Sequence, residues 1–280
     1  MNKIIKIMNL DKEIANLKKN LEDKNFDWSK KKKELEKIIS TGNYESERGY
    51  LLDVIKKEYG SKKDINILDF GCGSGIYVTI LLLMGYKNVR GFDVFKKFSN
   101  QVIKNLNFSE QTFELTDGKL PYPDKTFDFI NSSQVLEHVE DIDLYYREAA
   151  RVLKDDGICF FSFPHRLQIY DTHSRTFFIH WFPKFLRKIL YNIFSRSGGE
   201  SLNNYLFLKS LAYHKKISNK YFSVFMNISS HRLKNLDKKN YKGKLALRNF
   251  AHKLMNIKFF GKMFVNFFSF FSSADIFLKK

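Results

Sequence analysis

The sequence predicts an α/β protein built on a mostly parallel sheet with helices on both faces. Three observations predict it. Short apolar runs alternate with helical stretches from residue 44 to residue 164, the order of elements that gives a parallel sheet with right-handed crossovers. The run Ile65-Asn66-Ile67-Leu68-Asp69 ends in an acid and passes at once into Gly71, Gly73 and Gly75. That is how a buried strand turns sharply towards a helix where backbone must approach a ligand. A second run ends in Asp93, which lies 93 − 73 = 20 residues past the middle glycine. At that distance in nucleotide-binding α/β folds an acid grips ribose hydroxyls.

The elements follow in order. Residues 1–42 form a helical extension in which Ile7, Leu10, Ile14, Leu17 and Leu21 repeat at alternating spacings of three and four. Two heptads are fewer than the three or four that argue a coiled coil, so this segment reads as a cap on the core or a weak self-association helix. Lys30 to Lys33 is a solvated charge run, and Thr41-Gly42-Asn43 ends the extension. A helix over 44–59 leads into the core, residues 43–164. Its strands lie near 65–69, 88–93, 111–116, 127–133 and 158–163, with a packed helix from Ser74 to Met84 after the glycine loop. Pro164 closes the fifth strand. The remainder, 165–280, holds a helix near 201–216, a strand near 221–229 and a last strand Ala274-Asp275-Ile276-Phe277-Leu278.

The loop spacing is G-x-G-x-G, not the G-x-G-x-x-G that seats a pyrophosphate on a helix N-terminus. Asp69 would repel a pyrophosphate but suits a ligand carrying an ammonium group and hydroxyls. With Asp93, the pattern favours S-adenosylmethionine over NAD.

Further motifs carry a family resemblance. Ile67-Leu-Asp-Phe-Gly-Cys-Gly-Ser-Gly75 resembles motif I of the class I S-adenosylmethionine-dependent methyltransferases. Asp117-Gly118-Lys119-Leu120-Pro121-Tyr122-Pro123-Asp124, followed by Phe127-Asp128, resembles their adenine-contacting loop and the start of the fourth strand. Leu136-Glu137-His138-Val139 matches the Leu-Glu-His-Val that follows that strand. Arg151-Val-Leu-Lys-Asp-Asp-Gly157 resembles the Arg-Val-Leu-Lys-Pro-Gly-Gly turn into the fifth, with Asp155-Asp156 in place of Pro-Gly. The resemblance spans roughly 44–164 and implies a seven-stranded Rossmann-like sheet in the order 3-2-1-4-5-7-6, the seventh strand antiparallel. It implies that the cofactor, S-adenosylmethionine, is held by Asp69, Gly71, Cys72, Gly73 and Gly75, by Asp93 and Val94, by Asp117 and Gly118 around the adenine, and by Ser133.

Composition narrows the setting. Cys72 and Cys159 are the only cysteines and suggest neither a disulfide framework nor a metal site; a reducing cytoplasm is the expected home. The Lys-rich N-terminus is broken by Asn9, Asp11, Lys12 and Glu13, unlike a signal peptide. The net charge of +18 is uneven: residues 184–280 hold 20 Lys/Arg against 3 Asp/Glu, a net of +17, while residues 1–183 hold the other 28 and 27. Two stretches outside the expected fold, 165–199 and 235–270, are amphipathic. In 184–194, Lys184, Arg187 and Lys188 oppose Phe185, Leu186, Ile189, Leu190 and Ile193. The plain expectation is an apolar face packed on the core; the alternative is peripheral contact with an anionic membrane at its inner face.

Methyl transfer to oxygen wants alignment and a base. His138, just past the fourth strand, is the first catalytic candidate, with His165 and His173 as rivals. Pro164-His165-Arg166, Asp171-Thr172-His173 and Ile179-His180-Trp181-Phe182-Pro183 resemble a pattern of methyltransferases from bacterial surface-polysaccharide clusters. The leading expectation is therefore O-methylation of a sugar in a surface glycan or its nucleotide- or lipid-linked precursor. The alternatives are a quinone- or lipid-type small-molecule methyltransferase, an RNA methyltransferase using the basic region, and a non-catalytic binding protein. Nucleic acid is the weaker partner and a small-molecule or glycan acceptor the stronger. Gln134 stands where small-RNA methyltransferases place a charged metal ligand, so no metal is expected.

Overall fold

The computed structural model describes residues 44–73, 77–78, 81, 85–93, 119–171, 174, 176–194, 206–230 and 260–280. The expected heptad helix, the strand at 111–116, and the site residues Gly75, Val94, Asp117, Gly118 and His173 lie outside them.

Strands β1 (Asn66–Phe70), β2 (Asn88–Phe92), β3 (Phe127–Ser133), β4 (Leu153–Phe163), β7 (Val224–Asn227) and β8 (Ala274–Lys279) form one sheet in the order β2-β1-β3-β4-β8-β7. The first four are mutually parallel, and β8 runs antiparallel to both β4 and β7. In the numbering of the seven expected strands this is 2-1-4-5-7-6. The described sheet thus has six strands instead of seven.

β1 and β3 are buried on both sides, as a parallel sheet between helices requires. On one face, α1 (Tyr44–Tyr59) lays Leu51, Leu52 and Ile55 onto Ile67, Phe129 and Phe160. On the other, α2 (Ile142–Val152) lays Tyr145, Tyr146 and Ala149 onto Phe70, Ile130 and Phe161. Burying each such large side chain contributes about 1.5–3 kcal/mol. The Asp141 carboxylate caps α2 by accepting from the Leu144 N–H at 2.9 Å. Helix α4 (Leu211–Ser218), shorter than the expected 201–216, is capped by Ser210 and packs His214 against Tyr146 and Phe163.

Two elements differ from expectation for clear reasons. β4 begins at Leu153, not near 158, because Leu153 already pairs with Phe127; the register then shifts before Phe129 meets Ile158. Asp155, without the proline of the family pattern, pairs with Lys125 at 2.7 Å instead of making a turn. Second, the stretch after β4 holds a small hairpin, β5 (Tyr170–Asp171) with β6 (Thr176–Phe177), a 3-10 turn Ile179–Trp181 and helix α3 (Lys184–Phe194). Helix α3 buries Arg187 and Tyr191 and exposes Phe185, Ile189 and Ile193. The expected inward apolar face is thus split: Leu190 packs on the cluster of Ile179, Tyr191, Leu206 and Leu208, while Phe185, Ile189 and Ile193 turn outward. Helix α5 (Phe260–Phe270) likewise turns Met263, Phe267 and Phe270 to solvent and buries Val265 and Ser269.

Candidate active site

The carboxyl ends of β1, β2 and β3 meet in one place, as their parallel register dictates: Asp69 pairs with Gly91 on one side and Asn131 on the other. The chain leaves β1 through Gly71 at φ +86° and Gly73 at φ +54°, left-handed conformations that favour glycine. The N–H groups of Gly71 and Cys72 both donate to the Phe92 carbonyl, at 2.7 and 2.9 Å. That pins the loop over β2. The Gly73 N–H donates to the Asp93 carboxylate at 2.7 Å.

Space around the loop is one-sided. A Cβ on Gly71 would come within 2.3 Å of Val135, and one on Gly91 would meet the Cys72 sulfur at 2.8 Å. A Cβ on Gly73 would meet nothing within 4 Å. The loop is pressed against its own fold at Gly71 and open at Gly73. Asp69 is buried, and its carboxylate accepts from the Asn131 amide at 2.7 Å. Ser133 at the end of β3 lies 3.3 Å from the Tyr77 hydroxyl. Phe70 stacks on Tyr145 with ring centroids 3.9 Å apart, and the Tyr145 hydroxyl donates to the Phe70 carbonyl at 3.0 Å.

Past β3 the chain turns through Gln134, a non-glycine residue at φ +59° whose N–H donates to the Ser162 carbonyl at 2.7 Å. This turn carries Val135 onto Gly71 and sets up the 3-10 turn Leu136–His138. Glu137 is buried, whereas His138 is half-exposed, with its Nε2 3.9 Å from the Glu137 carboxylate. Of the two expected histidines that are described, His138 is thus the one that reaches the surface next to the strand ends.

His165 does not. It is wholly buried beside Phe270, and its Nδ1 accepts from the Leu167 N–H at 3.3 Å. Burial, with the nearby His180 adding to it, pushes its pKa down to about 4 against the backbone of Ser272 and Phe270, which favours the proton. His180 is also buried, with its Nε2 3.3 Å from Asp171 and its Nδ1 3.4 Å from the Tyr191 hydroxyl. Both histidines brace the segment after β4, a role visible only once packing is known.

Three features were missed in the sequence. Gly91 is one; a glycine inside the apolar run Asn88-Val-Arg-Gly-Phe92 was its signal. Asn131 as partner of Asp69 is another. The third is a brace behind the 120–124 loop. The Arg151 guanidinium donates to the Leu120 carbonyl at 2.9 Å, the Tyr122 carbonyl at 2.8 Å and Asp124 at 2.8 Å. It also pairs with buried Glu148 at 2.8 Å, which in turn accepts from the Leu120 N–H at 2.7 Å. Burial raises the Glu148 pKa, but Arg151 and Leu120 outweigh it and the net shift is downward.

Among the described residues no group of three or more His, Cys, Asp or Glu is placed to hold a metal ion, and no helix is long and apolar enough to cross a membrane.

These strand ends, the glycine loop and the two acids lie in the part of the chain that is similar to S-adenosylmethionine-dependent methyltransferases, whose cofactor is S-adenosylmethionine. Residues 68–161 match the family model described as a methyltransferase domain, and residues 14–111 match one described as a predicted AdoMet-dependent methyltransferase. The ubiquinone biosynthesis O-methyltransferase of Rickettsia bellii (strain OSU 85-389) is 26% identical over 145 residues, 48% of this chain and 58% of that protein. The demethylmenaquinone methyltransferase of Tropheryma whipplei (strain Twist) is 37% identical over 105 residues, 36% of this chain and 43% of that protein. The chain thus spans about half the length of these curated relatives. In fold it is similar to phosphoethanolamine N-methyltransferase 2 of Haemonchus contortus, solved with phosphomonomethylethanolamine and S-adenosylhomocysteine, at a TM-score of 0.51 and 14% identity, covering 83% of this chain and 52% of that one.

Proposed function

We propose that this protein methylates a hydroxyl of a small, lipid-type acceptor of the quinone-precursor kind, using S-adenosylmethionine. The observation that carries this reading is the core similarity to quinone-pathway methyltransferases, among them the ubiquinone biosynthesis O-methyltransferase that is 26% identical over 145 residues. It favours this acceptor class over the surface-glycan sugar that the 164–183 pattern suggested.

When bound, the cofactor supplies a methyl group already activated on a sulfonium. The open side of Gly73 would give it room, and the Asp93 carboxylate, which already accepts the Gly73 N–H, would also accept from its ribose hydroxyls. The buried Asp69 puts negative charge beneath the loop, where it complements a cationic ligand. Asn131 fixes that carboxylate, and Arg151 with Glu148 fixes the loop at 120–124. Since the leaving group is activated, most of the barrier reduction comes from alignment and exclusion of water. His138 takes the proton from the acceptor hydroxyl. The imidazolium that results lies 3.9 Å from Glu137, which offsets its charge. The methylated oxygen and S-adenosylhomocysteine are the products.

A sugar acceptor is the second reading, favoured by the exposed rings of Tyr170 and Trp181, which suit stacking on a pyranose. His165 and His180, its expected polar partners, are buried. The test is transfer of labelled methyl from S-adenosylmethionine to a short-chain polyprenyl catechol, set against nucleotide-linked sugars. Label in the catechol supports the proposal. Label in sugars alone overturns it.

A further inference from the structure

Helices α3 and α5 each turn an apolar stripe to solvent as well as burying one. On α3, Phe185, Ile189 and Ile193 recur at spacings of four and are 71%, 52% and 66% exposed, while Arg187, at 7%, faces inward. On α5, Met263, Phe267 and Phe270 form the outward stripe, and Ser269 is buried. The aromatic rings of the turn that leads into α3 are linked to those of α5. Phe178 contacts Trp181 at 5.2 Å between centroids, Trp181 contacts Phe271 at 5.7 Å, and Phe271 contacts Phe267 at 4.9 Å. The Trp181 indole N–H donates to the Leu167 carbonyl at 3.2 Å and the Ile169 N–H to the Phe271 carbonyl at 2.9 Å, fixing the two parts together. Contiguous exposed apolar surface of this kind marks an interaction site.

Charge selects what covers it. Lys184 and Lys188 are exposed beside the α3 stripe. Beneath it, Arg187 has a buried Nε without a hydrogen-bond partner, and among the described residues no carboxylate pairs with either Arg187 or Arg166. Burial above all, with the Arg166 charge adding to it, lowers the Arg187 pKa. The chain from residue 184 onward carries 20 basic residues against 3 acidic ones. A second copy would bring the same charge and be repelled. An anionic bilayer offers both complements: apolar depth for the aromatic residues and negative headgroups for the cations.

We propose that the apolar surface of α3, α5 and Trp181, with Lys184 and Lys188 at its rim and the Arg166–Arg187 pair beneath it, seats on the anionic face of a phospholipid bilayer. The surface lies after β4, at the same end of the sheet as the glycine loop, so it would bring the methyl donor to a membrane-borne acceptor. It stands independently of which acceptor is used.

The test is co-sedimentation of the full chain with phosphatidylcholine vesicles and with vesicles containing a quarter phosphatidylglycerol, in 0.05 and 0.5 M salt. The expected result is at least tenfold tighter partition onto the anionic vesicles, weakened by salt. A Phe185→Ser/Ile189→Ser double variant should lose tenfold or more, and Phe267→Ser should lose severalfold. Both alter exposed side chains, and S-adenosylmethionine affinity by calorimetry should stay at the wild-type value. That readout separates failure of the docking surface from failure of the methyltransferase assignment. Equal partition onto both vesicle types, or undiminished binding by the double variant, would overturn the proposal. So would a dimer in sedimentation velocity that the double variant dissolves, or release from anionic vesicles by bulk RNA but not by salt.

Discussion

The backbone N–H of Gly73 donates to the Asp93 carboxylate across 2.7 Å, joining the loop after β1 to the end of β2. The contact does two things. It holds a left-handed glycine in place, and it sets one carboxylate at the rim of the space above that glycine.

The glycines should therefore differ sharply in tolerance. Gly71→Ala forces a left-handed side chain into Val135 and should cost about 2–4 kcal/mol. Gly73→Ala bears only the conformational cost, about 1 kcal/mol. Urea unfolding of the two variants gives the comparison; equal losses would contradict the one-sided packing.

His138→Ala should lower the rate of methyl transfer by about 10²–10⁴ while leaving S-adenosylmethionine affinity unchanged. Single-turnover kinetics and calorimetry separate the two quantities. A variant that turns over like wild type would remove His138 from the base role.

Removing the Arg151 guanidinium leaves Glu148 buried without its cation. Arg151→Met should destabilise the protein by about 3–5 kcal/mol, and adding Glu148→Gln should restore part of it. Weaker cofactor binding should accompany the single variant, because Arg151 also holds the carbonyls of Leu120 and Tyr122.

Two buried neutral histidines make the fold sensitive to acid. Burial lowers His165 to about 4, and burial, with repulsion from a protonated His165 and from Lys209 adding to it, lowers His214 to about 3, both from an ordinary 6.5. Each ring is neutral in the folded protein and takes up its proton more readily when unfolded. Stability is thus complete above about pH 6.5 and falls as pH drops from there towards the folded values, by about 2 kcal/mol per histidine at pH 5. Urea midpoints between pH 7.5 and 5 measure the slope, and His214→Phe with Tyr146→Phe should flatten it by about half.

Much of this was legible in the chain. Apolar runs located β1, β2 and β3 to within a residue or two: β1 and β3 because strands buried on both faces leave few polar interruptions, β2 because its buried Val89, Gly91 and Phe92 are bounded by the exposed Asn88 and the acid Asp93. The turn at Gly71 and Gly73 between Asp69 and Asp93 was legible because its spacing is set by backbone geometry. The outward face of α3 was not. Periodicity separates Phe185, Ile189 and Ile193 from Arg187, but says nothing about which face meets the fold. His165 was illegible for a related reason: a polar residue after a strand end looks like site chemistry until the packing of Phe270 around it is known.

The most direct test is calorimetric titration of S-adenosylmethionine into the wild-type protein and into Asp93→Ala. Saturable binding by the wild type, weakened at least tenfold in a variant that remains folded by circular dichroism, is the predicted result. No heat of binding to the wild type, or equal affinity in Asp93→Ala, would contradict the assignment of this site.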